Sequence, residues 1–277
     1  IRGAFHAIHK PAPTITYSVS TFAGDVQQIC IEANRVDFDG IFAYNAADYL
    51  PRVSLTNKLL SDLYKYGEAN ISGDAIADSL HEMLSESSRH DGEVATDPEL
   101  ANLAATMAKM INGNLSANKK ICDPAAGSGS LISSAMKVFN INGNQVVAND
   151  INPKLIELLS LRLGLNNPIT INKSNAPVVT TKDILSFVPS DFNDIEVVLL
   201  NPPFVAGINC VNRKAPFISF IQRTKGSPSD TGVGQQNLGA VFLETVCCLM
   251  PTGTTIVCIF PKAQLVERGN EAIAFRE

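Results

Sequence analysis

From Lys119 to Phe260 the hydrophobic period of the chain keeps changing. Short apolar stretches (K-I-C-D at 120–123, Q-V-V-A-N-D at 145–150, I-E-V-V-L-L at 195–200, T-T-I-V-C-I-F at 254–260) alternate with segments of helical spacing at 130–139, 153–163 and 237–250. Strand, helix, strand at this rhythm predicts a mostly parallel sheet covered on both faces, an α/β fold of Rossmann-like type. In such sheets ligands sit beyond the carboxyl ends of the strands, near the point where the strand order reverses. Asp123, Asp150 and Asn201 all fall at such ends.

The part before this alternation reads differently. Over Thr21 to Arg35, Leu55 to Tyr66 and Asp74 to Ser87 apolar residues recur at three and four, which predicts helices. The polar run S-S-R-H-D-G marks a boundary, giving a mainly helical N-terminal domain over 1–90 and a Rossmann-like domain over 91–277. A further helix runs through Met110, with Asp97, Pro98 and Glu99 in its first turn. The chain begins at Ile1 rather than Met, so part of the natural start is expected to be missing.

With 45% hydrophobic and 18% charged residues among 277, there is ample material for a large core. The formal net charge of −5 argues against a whole-surface grip on nucleic acid. No apolar run reaches membrane-spanning length and no basic-then-apolar leader opens the chain, so no membrane partner is expected and the location is expected to be cytoplasmic. The six cysteines (Cys30, Cys122, Cys210, Cys247, Cys248, Cys258) form no C-x-x-C and suit a reducing compartment. Cys122, Cys247, Cys248 and Cys258 lie in apolar stretches and are expected in the core. His6 and His9 have no accompanying ligands, and no metal site is expected.

The first strand runs into D-P-A-A-G-S-G-S-L-I at 123–132. Gly127 and Gly129 permit a tight turn and close approach of a ligand to the backbone. A dinucleotide fingerprint would place Gly or Ala where Ile132 stands, and the G-K-[ST] of a phosphate loop is absent. A carboxylate at Asp123 would repel a pyrophosphate and suits an amine-bearing ligand. The next strand ends at Asp150, placed to accept hydrogen bonds from both hydroxyls of a ribose. Either aspartate alone could be a turn or a helix cap. Together they point to a nucleoside that carries an amino-acid group and no phosphate, for which S-adenosylmethionine is the candidate.

D-P-A-A-G-S-G followed by N-P-P-F at 201–204 resembles the N6-adenine DNA methyltransferases, most closely the modification subunit of type I restriction-modification systems. The resemblance covers roughly residues 90 to 265. Its T-x-P-like segment corresponds to V-A-T-D-P at 94–98, with Asp97 inserted after Thr96. It implies cofactor contacts at Thr96, Asp123, Pro124, Ala125, Gly127, Ser128, Gly129, Asp150 and Asp183, and a catalytic corner of Asn201, Pro202, Pro203 and Phe204. For Asp183 a helix cap before Ile184 is an equal reading.

The corner has a chemical logic. The exocyclic nitrogen of adenine is a poor nucleophile because its lone pair is delocalised into the ring. Two acceptors, the Asn201 side-chain oxygen and the Pro202 carbonyl, would draw its N–H bonds and stabilise the positive charge developing during transfer. The diproline fixes where those oxygens point, and Phe204 could stack on a flipped base. N-P-P-F by itself is shared with enzymes that methylate RNA bases or protein glutamine. A strand-ending turn is its purely structural reading.

The resemblance thus implies transfer of a methyl group to N6 of adenine in DNA, with specificity and restriction subunits as partners. An RNA base methyltransferase and a catalytically idle assembly subunit are the rival readings. The family's sheet has seven strands, whereas Glu277 follows soon after the fifth candidate strand, so a truncated C-terminal end is expected. Between Val205 and Asn237 many Gly, Ser and Pro, with Arg213, Lys214, Arg223 and Lys225, predict a long irregular segment. It could close over substrate or touch phosphates, and a solvated loop is equally consistent.

Overall fold

Strands β1 (Lys120–Asp123), β2 (Val146–Asn149), β3 (Val178–Thr180), β4 (Ile195–Leu200) and β5 (Thr255–Cys258) pair in the order β3-β2-β1-β4-β5, all parallel. They belong to a computed structural model that describes residues 18–22, 24, 25, 28, 56–68, 72–88, 95–166, 175–204, 211–232 and 238–262. The order reverses between β1 and β4, which places the switch point between Asp123 and Asn201.

Both faces of this sheet are buried, which is why β4 reads as a nearly unbroken apolar run. Successive side chains point to opposite faces. Ile121, Val197 and Leu199 join one core and Cys122, Val198 and Leu200 the other. The first core is closed by α3 (Pro98–Asn112), α4 (Ser130–Phe139) and α5 (Pro153–Asn166). The second is closed by α6 (Val211–Lys225) and α7 (Leu238–Leu249). Ala101, Ala104, Ala105 and Ala108 are all buried, and their small side chains let α3 lie close on its neighbours. Asp97 caps α3, its Oδ1 accepting from the N–H groups of Glu99 and Leu100 at 2.8 and 3.2 Å. The residue inserted after Thr96 is thus a helix N-cap.

Ahead of the sheet lie α1 (Asn57–Glu68) and α2 (Gly73–Ser88). Most of the helix expected over Thr21 to Arg35 lies outside the described residues, as do His6, His9, Cys30 and Cys210. Helix α2 falls before the boundary expected near residue 90, yet it packs on α4 and α5.

Two expectations need correction. The segment between Val205 and Asn237 is not irregular throughout, since Val211–Lys225 is helical with Pro216 inside it. The stretch that follows is held by Glu244 of α7, which accepts from Ser229 Oγ and Thr231 Oγ1, both at 2.7 Å, and from the N–H groups of Asp230 and Thr231, both at 3.0 Å. Burial raises the Glu244 pKa, but these bonds outweigh it and hold the carboxyl down at about 2. Of the four cysteines expected in the core only Cys122 is fully buried; Cys247 is exposed, and Cys248 and Cys258 are half-buried. Helix α7 turns Leu238, Val241, Phe242, Thr245, Val246 and Leu249 inward, and Cys247 falls on the outer side of that stripe.

Among the described residues, no helix is long and apolar enough to cross a membrane and no cluster of His, Cys, Asp or Glu could hold a metal.

Candidate active site

The carboxyl ends of β1, β2 and β4 open into a cavity of about 430 Å³, within the range that takes a small organic ligand. From the glycine loop it is lined by Pro124, Ala125 and Gly127, from the β2 end by Asn149 and Asp150, and after β3 by Lys182, Asp183 and Ile184. Asn201, Pro202 and Pro203 close it from β4, and Phe217, Leu238 and Phe242 add an apolar wall. A cleft of about 20 Å³, lined among others by His81, Thr96, Asp123, Gly127, Ser128 and Asn201, adjoins it.

The glycine loop is shaped by its neighbours. Gly127 has φ +54° and donates its N–H to Asp150 Oδ2 at 2.8 Å. The other oxygen, Asp150 Oδ1, accepts from Asn152 N–H at 2.8 Å, so one carboxylate ties the loop to the start of the next turn. Gly129 has φ +85°, and a Cβ there would lie 2.9 Å from Leu159 Cγ, so this glycine permits the close packing of α4 on α5. Gly129 does not line the cavity, and Ser128 lines only the cleft.

Asn149, which the sequence reading passed over, is the tie among three strand ends. Its Nδ2 donates to the carbonyls of Pro124 and Lys182 at 3.2 and 3.0 Å, and its Oδ1 accepts from Thr180 Oγ1 and Lys182 N–H at 2.8 and 3.0 Å. All four bonding positions of the amide are used. Asp183 caps the short 3-10 turn that follows it, accepting from Leu185 N–H at 2.9 Å, and also lines the cavity. The cap is thus what the structure shows, and the same residue borders the cavity.

Two polar atoms stand apart. Asp123 is fully buried, and Oδ1 accepts from Ala125 N–H at 3.1 Å while Oδ2 has no hydrogen-bond partner among the described residues. Burial pushes its pKa well above the ordinary carboxylate value, the Ala125 N–H works against this, and the nearby Asp150 charge adds to it. Asn201 donates from Nδ2 to Thr96 Oγ1 at 3.0 Å, which fixes the amide and leaves its buried Oδ1 without a hydrogen-bond partner among the described residues. Thr96 thus meets the corner at Asn201 as well as lining the cleft. Phe204 does not line the cavity; its ring meets Phe260 edge-on, with centroids 5.8 Å apart.

Comparison with known proteins shows where this fold recurs. The family model described as N-6 DNA Methylase matches residues 68–259. The solved structure of the type IIG restriction endonuclease BpuSI matches 99% of this chain at 34% identity with a TM-score of 0.81, and this chain spans 32% of that protein's length. The methyltransferase subunit of a type I restriction-modification system from Streptococcus thermophilus shares the fold, with a TM-score of 0.57 at 17% identity over 93% of this chain and 56% of its own. No curated protein matches the chain. With the family model covering more than half of its residues, the chain belongs to the N-6 DNA methylase family.

Proposed function

We propose that this chain transfers the methyl group of S-adenosylmethionine to N6 of adenine in DNA, as the modification part of a restriction-modification system. The observation that carries the reading is the Asn201 amide: its nitrogen is tied to Thr96, and its oxygen is buried at the switch point of the sheet with no hydrogen-bond partner among the described residues. An unsatisfied buried acceptor costs about 1–3 kcal/mol and calls for a donor. A target amino group entering beside Pro202 supplies one.

The residues present fit the cofactor. Gly127 brings backbone to the cavity wall, Asp150 presents a carboxylate there, and Asp123 Oδ2 is a second buried acceptor suited to an ammonium. The cofactor supplies an electrophilic methyl group on a sulfonium. Asp150 takes the ribose hydroxyls, Asp183 and Ile184 border the adenine ring, and Pro124, Ala125, Gly127, Ser128 and Gly129 form the turn beneath. Asn201 Oδ1 and the Pro202 carbonyl accept the amino hydrogens of the target and stabilise charge as it develops. Pro203 stiffens the corner. Phe204, braced by Phe260, stacks on the extruded base.

The net charge of −5 supports a division of labour in which a specificity subunit supplies sequence recognition and a restriction subunit completes the assembly. The Streptococcus thermophilus protein is itself a subunit of a type I restriction-modification system, which supports further subunits as partners. Cys122, Cys247, Cys248 and Cys258 are free thiols, which fits a cytoplasmic setting.

The test is mass spectrometry of nucleosides after incubating the chain, the cofactor and any co-purifying partner with DNA and, separately, with RNA. N6-methyladenine from the DNA is expected. A modified base from RNA alone, or cofactor binding without any product, overturns the reading.

A further inference from the structure

Helix α2 carries Asp74, Asp78 and His81, spaced four and three apart and so on one helical face. That face is turned inward. Arg162 of α5, 1% exposed, donates to Asp78, to Asp74 Oδ1 at 3.5 Å and to Ser130 Oγ at 2.9 Å. Asp74 also accepts from Ser133 Oγ at 2.9 Å and Lys137 Nζ at 2.6 Å. A buried guanidinium held by two carboxylates of another helix is a costly thing to break, so α2 is clamped to α4 and α5.

The clamp delivers His81. The imidazole is 3% exposed, its Nδ1 shares a 2.8 Å hydrogen bond with Ser128 Oγ in the glycine loop, and a Cβ placed on Gly127 would lie 3.5 Å from its Cε1. It lines the cavity as well as the adjoining cleft, together with Gly127 and Asn201. Asp183, Ile184 and Ile151 line the cavity without touching the cleft. With the ribose at Asp150 and the base beside Ile184, the part of the ligand beyond the ribose lies at the His81 end.

We propose that His81 is a cofactor-binding residue, whose ring N–H engages the carboxylate of the cofactor's amino-acid end and which reaches the site only because α2 is docked. This rests on the cofactor assignment made above. It goes further in placing a ligand contact on a helix that precedes the sheet. The same side chain, through Ser128, also steadies the loop, and the two contributions can be separated.

The measurement is calorimetric binding, to the full chain, of S-adenosylhomocysteine and of 5′-methylthioadenosine, which keeps the adenosine and lacks the amino-acid group. In His81→Ala, S-adenosylhomocysteine binding should weaken about tenfold to a hundredfold, the scale of a lost hydrogen bond to a charged group, with 5′-methylthioadenosine held within about twofold. His81→Asn keeps a polar atom for Ser128 while withdrawing the rest of the ring, and it should show the same selective loss. An equal loss for both ligands would mean that His81 only supports the loop, and unchanged affinity for both would remove it from the site. Either result overturns the proposal. In the unmutated chain, the His81 imidazole NMR signals should move on adding S-adenosylhomocysteine and stay in place with 5′-methylthioadenosine; equal movement with both also overturns it. If the unmutated chain binds neither ligand, the cofactor assignment itself falls and the role of His81 falls with it.

Discussion

Two asparagines stand at neighbouring strand ends and do opposite things. At the end of β2, Asn149 makes four hydrogen bonds, and its amide joins the glycine loop, β2 and the turn after β3. Just beyond β4, Asn201 makes one, to Thr96, and buries its oxygen with no hydrogen-bond partner among the described residues. The side chains are chemically identical, so the difference lies in what surrounds them. A fully satisfied amide rigidifies the frame, whereas a half-satisfied one is an uncompensated cost that folding alone does not explain. The first serves the frame, and the second is the one the proposed function draws on.

The largest effect should fall on Asn201. Asn201→Ala is expected to lower single-turnover methylation about 10²- to 10³-fold, the usual loss of one preorganised transition-state contact, while leaving cofactor affinity and melting temperature nearly unchanged. Asn149→Leu should do the reverse. It strands the Pro124 and Lys182 carbonyls, the Lys182 N–H and the Thr180 hydroxyl, at about 1–3 kcal/mol for each group that water does not reach. Urea unfolding should show a loss of about 3 kcal/mol, with weakened cofactor binding. If Asn201→Ala proves the more destabilising of the two, the contrast between scaffold and site is broken.

Much of the frame on which these residues sit was legible in the sequence. The stretches K-I-C-D, V-V-A-N, I-E-V-V-L-L and T-I-V-C are all strands, because runs covered on both faces carry an apolar signature, even in β5, where every residue is only partly buried. Helix α6 was not legible, since Pro216 in its interior and the Gly, Ser and Pro around it imitate a loop. His81 was missed for a related reason: Asp74, Asp78 and His81 form a polar stripe of the kind usually left in solvent. The available signal was Arg162, an arginine inside the apolar run P-K-L-I-E-L-L-S-L-R-L, which requires buried counter-charges from somewhere. Asn149 was hidden by adjacency to Asp150, because a hydrogen-bonding hub depends on tertiary neighbours that no local pattern encodes.

A smaller effect sharpens the contrast at Asn201 itself. Thr96→Val keeps the shape and removes the acceptor that fixes the amide. The Asn201 amide can then turn its nitrogen toward the target, so turnover should fall about fivefold to tenfold, the worth of one hydrogen bond, with cofactor affinity unchanged. Loss of cofactor affinity equal to the loss of rate would instead make Thr96 a cofactor contact first.

The smallest expected effect asks whether the rule extends to the end of β1, where Asp123 also keeps an oxygen without a hydrogen-bond partner among the described residues. Burial raises the folded pKa of this carboxyl well above its ordinary 3.8, so the folded chain holds the proton more tightly than the unfolded one. The stability tied to this group is therefore fully present below the unfolded value and is lost as pH climbs toward the folded one. Asp123→Asn cannot ionise. Without cofactor, its melting temperature should rise relative to the unmutated chain across that window and then run parallel to it. Adding S-adenosylhomocysteine should reverse the ranking, because the ammonium of the ligand stabilises an ionised Asp123 and offers nothing to an amide. Thermal unfolding of both proteins from pH 4 to 8, with and without the ligand, reads both effects. Parallel curves throughout would make Asp123 a structural turn residue and confine the unspent-acceptor rule to Asn201.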